Sequence, residues 1–154
     1  MATQHAYYLE TSVWGMIPRG QPRELRRATL RLLNQHRDFV VSPAVLAELS
    51  AAKESLRNEI MELFDEVGPR VVSNSSEVIE LAAAYLEAGV VPPKKRDDAI
   101  HVATATVHRI DVLVSWNHRH IANVRKSEQY RGVNLLHGYG HLPVILTPFE
   151  VLYA

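Results

Sequence analysis

Short apolar runs alternate with stretches of helical periodicity along this 154-residue chain, and that alternation constrains the fold more than any other feature. Tyr7-Tyr8-Leu9, Phe39-Val40-Val41 and Val112-Leu113-Val114-Ser115-Trp116 are brief and apolar almost throughout. Strands covered by helices on both faces of a parallel sheet read this way. Between them, Leu25, Thr29, Leu32 and Leu33 place a helix over residues 23–36. Leu56, Ile60, Leu63 and Phe64 mark a second, ending near Gly68-Pro69. Val78, Leu81, Ala82, Tyr85 and Leu86 form the apolar stripe of a third, closed by Gly89. The expected fold is α/β: three layers, with a central, mainly parallel sheet between helices, in one domain over residues 1–154.

Finer signals set the joints. Ser42-Pro43 reads as a helix cap followed by a proline at the first helical position. Asn74, with Glu77 three residues on, resembles a capping box. Gly15, Pro18, Gly20 and Pro22 mark a loop, and residues 119–123 a short helix. Arg70-Val71-Val72 is a third strand, and Pro143-Val144-Ile145-Leu146 a last strand at a sheet edge, where proline is tolerated. The helix opened by Asp97-Asp98 is rich in small and β-branched residues, so it packs on both sides.

Composition removes several function classes. There is no Cys, hence no disulfide framework, thiolate metal site or Cys nucleophile, in agreement with a cytoplasmic setting. The opening Met-Ala-Thr-Gln-His-Ala lacks the pattern of a secretory signal, and no apolar run is long enough for a membrane span. There is no Gly-x-Gly-x-x-Gly, P-loop or Gly-x-Ser-x-Gly. Among eight His, the closest pair is His118-x-His120, and His101 and His108 lie one helix face apart. Without Cys or a His-Glu-x-x-His pattern, zinc is the minor alternative, and the imidazoles read as solvent-facing or capping. Overall charge is zero, yet residues 94–131 carry eight bases against four acids. Such a segment suits a polyanion, although scattered surface Lys and Arg give the same count.

Four residues carry the chemistry: Glu10, Glu48, Asp98 and Asn117. Each falls where a strand ends or the next helix begins. In an open parallel sheet, ligands bind outside the carboxyl ends of the strands. Acids and an amide converging there make an oxygen-rich pocket for a hard divalent cation, whose shell phosphates usually complete. Ser12, two residues beyond Glu10, is placed to steady that carboxylate or a ligand water. Asp97 is expected to cap its helix while Asp98 turns inward as a ligand. Each position also has a plainer reading: a polar strand end for Glu10, a boundary residue for Glu48, a helix-start acid for Asp98, a left-handed turn for Asn117.

Taken in order, Tyr8-Leu9-Glu10-Thr11-Ser12-Val13, Ser42-Pro43-Ala44-Val45-Leu46-Ala47-Glu48-Leu49, Asp97-Asp98-Ala99-Ile100-His101-Val102-Ala103-Thr104-Ala105 and Asp111-Val112-Leu113-Val114-Ser115-Trp116-Asn117 resemble the PIN-domain ribonucleases, especially the VapC-like toxins of bacterial toxin–antitoxin pairs. The resemblance implies a PIN-like domain that cleaves RNA with Mg²⁺ or Mn²⁺. It implies Glu10, Glu48 and Asp98 as metal ligands, and Asn117 and Ser12 as orienting groups. It also implies a homodimer silenced by a small antitoxin. The Val78–Leu86 stripe, more apolar surface than a small domain clearly needs, is the expected dimer surface. Two positions depart from the family pattern: the first acid is usually Asp, and many members carry a further Asp where this chain has Asn117. Two other readings stay open, a catalytically silent binding module and a metal-dependent DNA nuclease.

Overall fold

Strand β1 (Ala6–Leu9), buried along its whole length, is the middle strand of a five-stranded sheet. The computed structural model describes residues 4–153; Met1-Ala2-Thr3, part of the opening read above as carrying no signal, lies outside them. The other strands are β2 (Asp38–Val41), β3 (Arg70–Val71), β4 (Val112–Val114) and β5 (Val144–Leu146). Their order is β3-β2-β1-β4-β5, and every pairing is parallel.

Helices α1 (Thr11–Arg19) and α2 (Arg23–Gln35) lead from β1 to β2, and α3 (Pro43–Ser50) and α4 (Glu54–Val67) from β2 to β3. The chain then crosses back through α5 (Ser76–Glu87), a short 3-10 turn (Pro93–Lys95) and α6 (Arg96–Val107) to reach β4 on the other side of β1. Helices α7 (Val124–Leu136) and α8 (Pro148–Tyr153) flank β5. Right-handed crossovers that run outward in opposite directions put their helices on opposite faces of the sheet. Accordingly α1 packs with α2 and α4, and α5 with α6 and α7. The direction reverses between β1 and β4, so the crevice at their carboxyl ends is the switch point where such folds bind ligands.

The strands and the capping serine behave as the sequence implies: Ser42 accepts from the Val45 N–H at 3.4 Å. Other expectations are corrected. The loop inferred from Gly15, Pro18, Gly20 and Pro22 is mostly helix α1. Trp14 anchors it, donating its indole N–H to the Leu9 carbonyl at 3.1 Å and meeting the Phe64 ring edge-on at 4.5 Å. Pro18 sits only in the last turn, and Gly20 ends the helix at φ 73°, the left-handed conformation glycine adopts freely. The cap of α5 is Ser75, which accepts from the Val78 N–H, not Asn74 one residue earlier. Asp97 does not cap α6: the 3-10 turn runs straight into the helix, Lys95 holds the cap position, and no side chain bonds there. The short helix at residues 119–123 is a turn, and the full helix α7 follows it.

The α5 stripe is core. Val78, Leu81, Ala82 and Tyr85 are buried against α6 and α7, with the Tyr85 and Tyr130 rings edge-to-face at 4.8 Å. It therefore supplies no dimer surface. Helix α6 is buried from Ala99 to Thr106, packed on both sides as its small residues require. No helix among the described residues is long and apolar enough to cross a membrane.

Candidate active site

Glu10 follows β1 directly and caps α1. Its backbone N–H bonds the Val114 carbonyl at 3.1 Å, which ties the ends of β1 and β4 together. The side chain is only 5% exposed. Oε1 accepts from the Ser12 and Ser115 hydroxyls, both at 2.6 Å, and Oε2 accepts from the Ser12 N–H at 3.1 Å. The serines are themselves pinned: Ser12 Oγ accepts from the Trp116 N–H, and Ser115 Oγ from the Asn117 N–H, each at 2.9 Å. Two strand ends thus hold one carboxylate in a single orientation.

Asp98 lies in the first turn of α6, half-buried, and its Oδ2 is fully enclosed without a hydrogen-bond partner. Burial, followed by the nearby Glu10 charge, pushes its carboxyl above the usual range. The His101 charge, the Asn117 amide and Lys95 pull the other way without cancelling that push. An orphaned, enclosed carboxylate oxygen beside a second carboxylate is a poor structural arrangement and a good one for a hard cation.

Glu48, on α3, faces His101, whose imidazole also feels the charges of Glu10 and Asp98. Its Oε1 accepts from the Thr11 hydroxyl at 2.9 Å and meets His101 Nε2 at 2.5 Å. His101 is completely buried. Its Nδ1 lies 2.7 Å from the Tyr8 hydroxyl, which lies 2.6 Å from Ser42 Oγ. Burial alone would lower the imidazole's pKa, but the Glu48 bond and the charges of Glu10, Glu48 and Asp98 outweigh it and raise it. For Glu48, burial pushes upward and is outweighed by the His101 bond and charge and by Thr11, so its carboxyl sits low. Each partner thus favours the charged form of the other.

His101 was missed by sequence reasoning, which placed the imidazoles at the surface or at caps. A usable signal existed: His101 is three residues beyond Asp98, so the two share a helix face. Thr11 and Ser115 lie within the motifs, and only the fold shows that they bond Glu48 and Glu10. Asn117 borders the site, with its Oδ1 engaged by the His120 N–H at 3.0 Å in a turn. The left-handed conformation of its plainer reading is absent, since Arg109 is the one non-glycine residue with positive φ among the described residues, and its amide helps to lower the Asp98 carboxyl.

Among the described residues, no three or more acids or histidines form a group able to hold a metal ion by themselves. Magnesium does not need one, because one or two carboxylates, water and substrate phosphates commonly complete its shell. Asp98, with Oδ2 unpartnered, fits that open kind of site directly, and Glu10 fits it through Oε2, which accepts one hydrogen bond where Oε1 already accepts two. Glu48 fits it less directly, since Oε1 is engaged and Oε2 is the oxygen left for a cation or its water.

The PIN-domain family profile matches residues 7–126, from β1 into the first turn of α7. No curated protein sequence matches the chain. Among solved structures, a toxin–antitoxin complex from Klebsiella pneumoniae is 19% identical, covering 79% of this chain and 94% of that one, with a TM-score of 0.60. VapBC2 from Rickettsia felis, bound to a DNA fragment from its promoter, is 14% identical over 92% of this chain and 98% of its own, with a TM-score of 0.57. VapBC-1 from nontypeable Haemophilus influenzae is 17% identical over 94% and 98%, also at 0.57. At these identities the likeness is one of fold. The family profile spans most of the chain and runs through every motif that ends at the β1–β4 crevice: the chain belongs to the PIN-domain family.

Proposed function

We propose that this chain is a divalent-metal-dependent endoribonuclease and the toxin of a toxin–antitoxin pair. PIN domains are typically nucleases and generally use divalent metal ions. The observation that carries the reading is buried Glu10 beside half-buried Asp98, with Asp98 Oδ2 left unpartnered at the switch point of the sheet. Glu10, Asp98 and, through Oε2, Glu48 would hold Mg²⁺ or Mn²⁺. When bound, such an ion lowers the pKa of a water and offsets charge on the phosphate.

The chain's own groups do the positioning. Ser12 and Ser115 fix the Glu10 carboxylate so that nothing need reorganise when charge develops. His101, itself held by Tyr8, fixes Glu48 through Oε1. Asn117 N–H and the turn after it set the edge along which a phosphodiester would lie. Hydrolysis adds water across one P–O bond, and the oxygen of the departing strand takes up a proton.

The neighbouring structures are toxin–antitoxin complexes, which supports a small antitoxin as partner. A cationic Arg or Lys side chain entering the crevice would relieve the Glu10–Asp98 repulsion. Self-association as a two-fold pair belongs to the same proposal and must use a face other than the α5 stripe; a monomeric mass by light scattering at micromolar concentration removes it. The decisive experiment is a gel of end-labelled RNA, and of DNA of the same sequence, with Mg²⁺, Mn²⁺ or EDTA. RNA cleavage that EDTA abolishes is the expected result. Cleavage of DNA alone makes the protein a DNA nuclease, and cleavage of neither makes it a binding module.

A further inference from the structure

Next to the acidic crevice lies a cleft of about 310 Å³ lined by Pro92, Lys94, Lys95, Asn117, Arg119 and His120. Three full positive charges and an imidazole thus face one small volume. The ion pairs found among the described residues are His5–Asp111, Arg70–Asp38 and His101–Glu48, so no acid is in salt-bridge contact with Lys94, Lys95 or Arg119. Like charges gathered around a concavity repel one another, which is tolerated where an anion is to be received.

Both walls are built. On one side, the Lys95 N–H closes the 3-10 turn on the Pro92 carbonyl at 2.8 Å, and Lys126 Nζ donates to the Val90 carbonyl just before it. On the other, Asn117 gathers the turn: its Oδ1 takes the His120 N–H at 3.0 Å and its carbonyl takes the Ala122 N–H at 2.7 Å. Tyr130 then holds the His120 carbonyl at 2.7 Å. Within this frame His120 Nδ1 is buried and has no partner. Burial, with the charges of Arg119, Lys126, Lys95 and Lys94, holds that imidazole below its usual range, hence neutral and able to donate one N–H.

We propose that this cleft is a phosphate subsite for a single nucleic-acid strand, gripping the phosphodiester that neighbours the one presented to Glu10 and Asp98. Its place relative to the scissile bond rests on the reading of the acidic pair as the cleavage centre; its affinity for phosphate does not. Asn117 belongs to both, lying beside Asp98 on one side and lining the cleft on the other. Lys95 likewise lines the cleft and acts on the Asp98 carboxyl. The strand is therefore led from a cationic hold directly into the acidic recess.

The test measures binding without cleavage. Fluorescence anisotropy of labelled twelve-nucleotide RNA and DNA is read in EDTA across a salt series. The control is a second basic cleft, lined by Gly20 at the end of α1 and by Arg23, Arg26, Arg27 and Leu30 of α2. Lys94→Ala/Lys95→Ala/Arg119→Ala should weaken binding by tenfold or more. It should also flatten the slope of log K against log salt by about two, since each phosphate contact to a single strand contributes roughly 0.7. Arg23→Ala/Arg26→Ala/Arg27→Ala should leave both unchanged. Equal binding of RNA and DNA says the cleft reads phosphate alone, and tighter RNA binding says the ribose is read as well; either supports the subsite. If the first triple variant binds like the parent, if the second loses as much, or if the parent binds neither strand, the subsite is overturned. A protein that grips strands through this cleft yet never cuts them refutes the nuclease reading and leaves the subsite standing.

Discussion

Two buried polar clusters in this molecule look alike on paper and differ in one respect. Under α7, the Tyr85 hydroxyl donates to Asn134 Oδ1 at 2.5 Å, and Asn134 Nδ2 donates to Thr106 Oγ1 at 3.2 Å and to the His141 carbonyl at 3.1 Å. Every member is neutral and has a partner. At the β1–β4 crevice, Glu10, Glu48 and Asp98 crowd around one imidazole, and an Asp98 oxygen is left with nothing. A satisfied neutral network rigidifies a core. A charged, under-satisfied one weakens the fold at its own position and persists where the charge has other work.

Replacing Asp98 with Asn tests that contrast most severely. If the crevice is a cation site, RNA cleavage should fall by orders of magnitude, as expected when several kcal/mol of charge stabilisation are lost. The melting temperature should hold or rise. A carboxyl whose pKa is raised on folding destabilises the native state above that pKa, and the amide removes the penalty. Undiminished cleavage would erase the distinction between the two clusters.

Asn134→Ala should do the reverse. It leaves the Tyr85 hydroxyl and Thr106 Oγ1 with only their own 3.5 Å contact in the core, at roughly 1–3 kcal/mol, or a drop of several degrees in a domain of this size. Cleavage by the fraction still folded should be unchanged. A variant that melts like the parent would mean that the α7 cluster contributes nothing.

The Glu48–His101 pair offers a pH measurement. His101 is raised on folding, so its contribution is complete below its unfolded pKa and is lost as pH rises through the higher folded value. Glu48 is lowered, so its contribution is present above its unfolded pKa and is lost only as pH falls through the folded value. Thermal stability should therefore decline as pH rises above the ordinary imidazole value of 6.5, and His101→Gln should flatten that decline. A parent whose stability stays level there would contradict the ion pair.

The smallest effect is expected from Asp97→Asn. Asp97 is exposed, bonds to no helix end, and contributes only a charge near the start of α6. Stability should change by at most about 1 kcal/mol, with cleavage close to that of the parent. A collapse of activity as deep as that of Asp98→Asn would show that the whole helix start, rather than one inward side chain, sets the site.

These residues also show what a sequence makes legible. β1, β2, β4 and edge strand β5 were readable because a short parallel strand leaves a compact apolar run, too brief to be a helix and bounded by polar or turn residues. Helix α1 was not, since Gly15, Pro18 and Gly20 signal a loop locally while Trp14 secures the helix through Phe64, a residue fifty positions away. Helix α7 has no apolar stripe to read: it buries Asn134 and exposes Leu135 and Leu136. At the site, a strand end places Glu10 and a helix start places Asp98, both positions visible in the sequence. The bond from His101 to Glu48 spans 53 residues, and only folding brings the two together.

The strand order has a bearing on how the chain is made. Glu10 follows β1, Glu48 follows β2, Asp98 waits for the return crossover, and Ser115 arrives only with β4, which inserts beside β1. Synthesis delivers the amino-terminal half first, and that half holds Glu10 and Glu48 but neither Asp98 nor the serine that clamps Glu10. A chain still emerging from the ribosome is thus without the assembled crevice until late in its own translation.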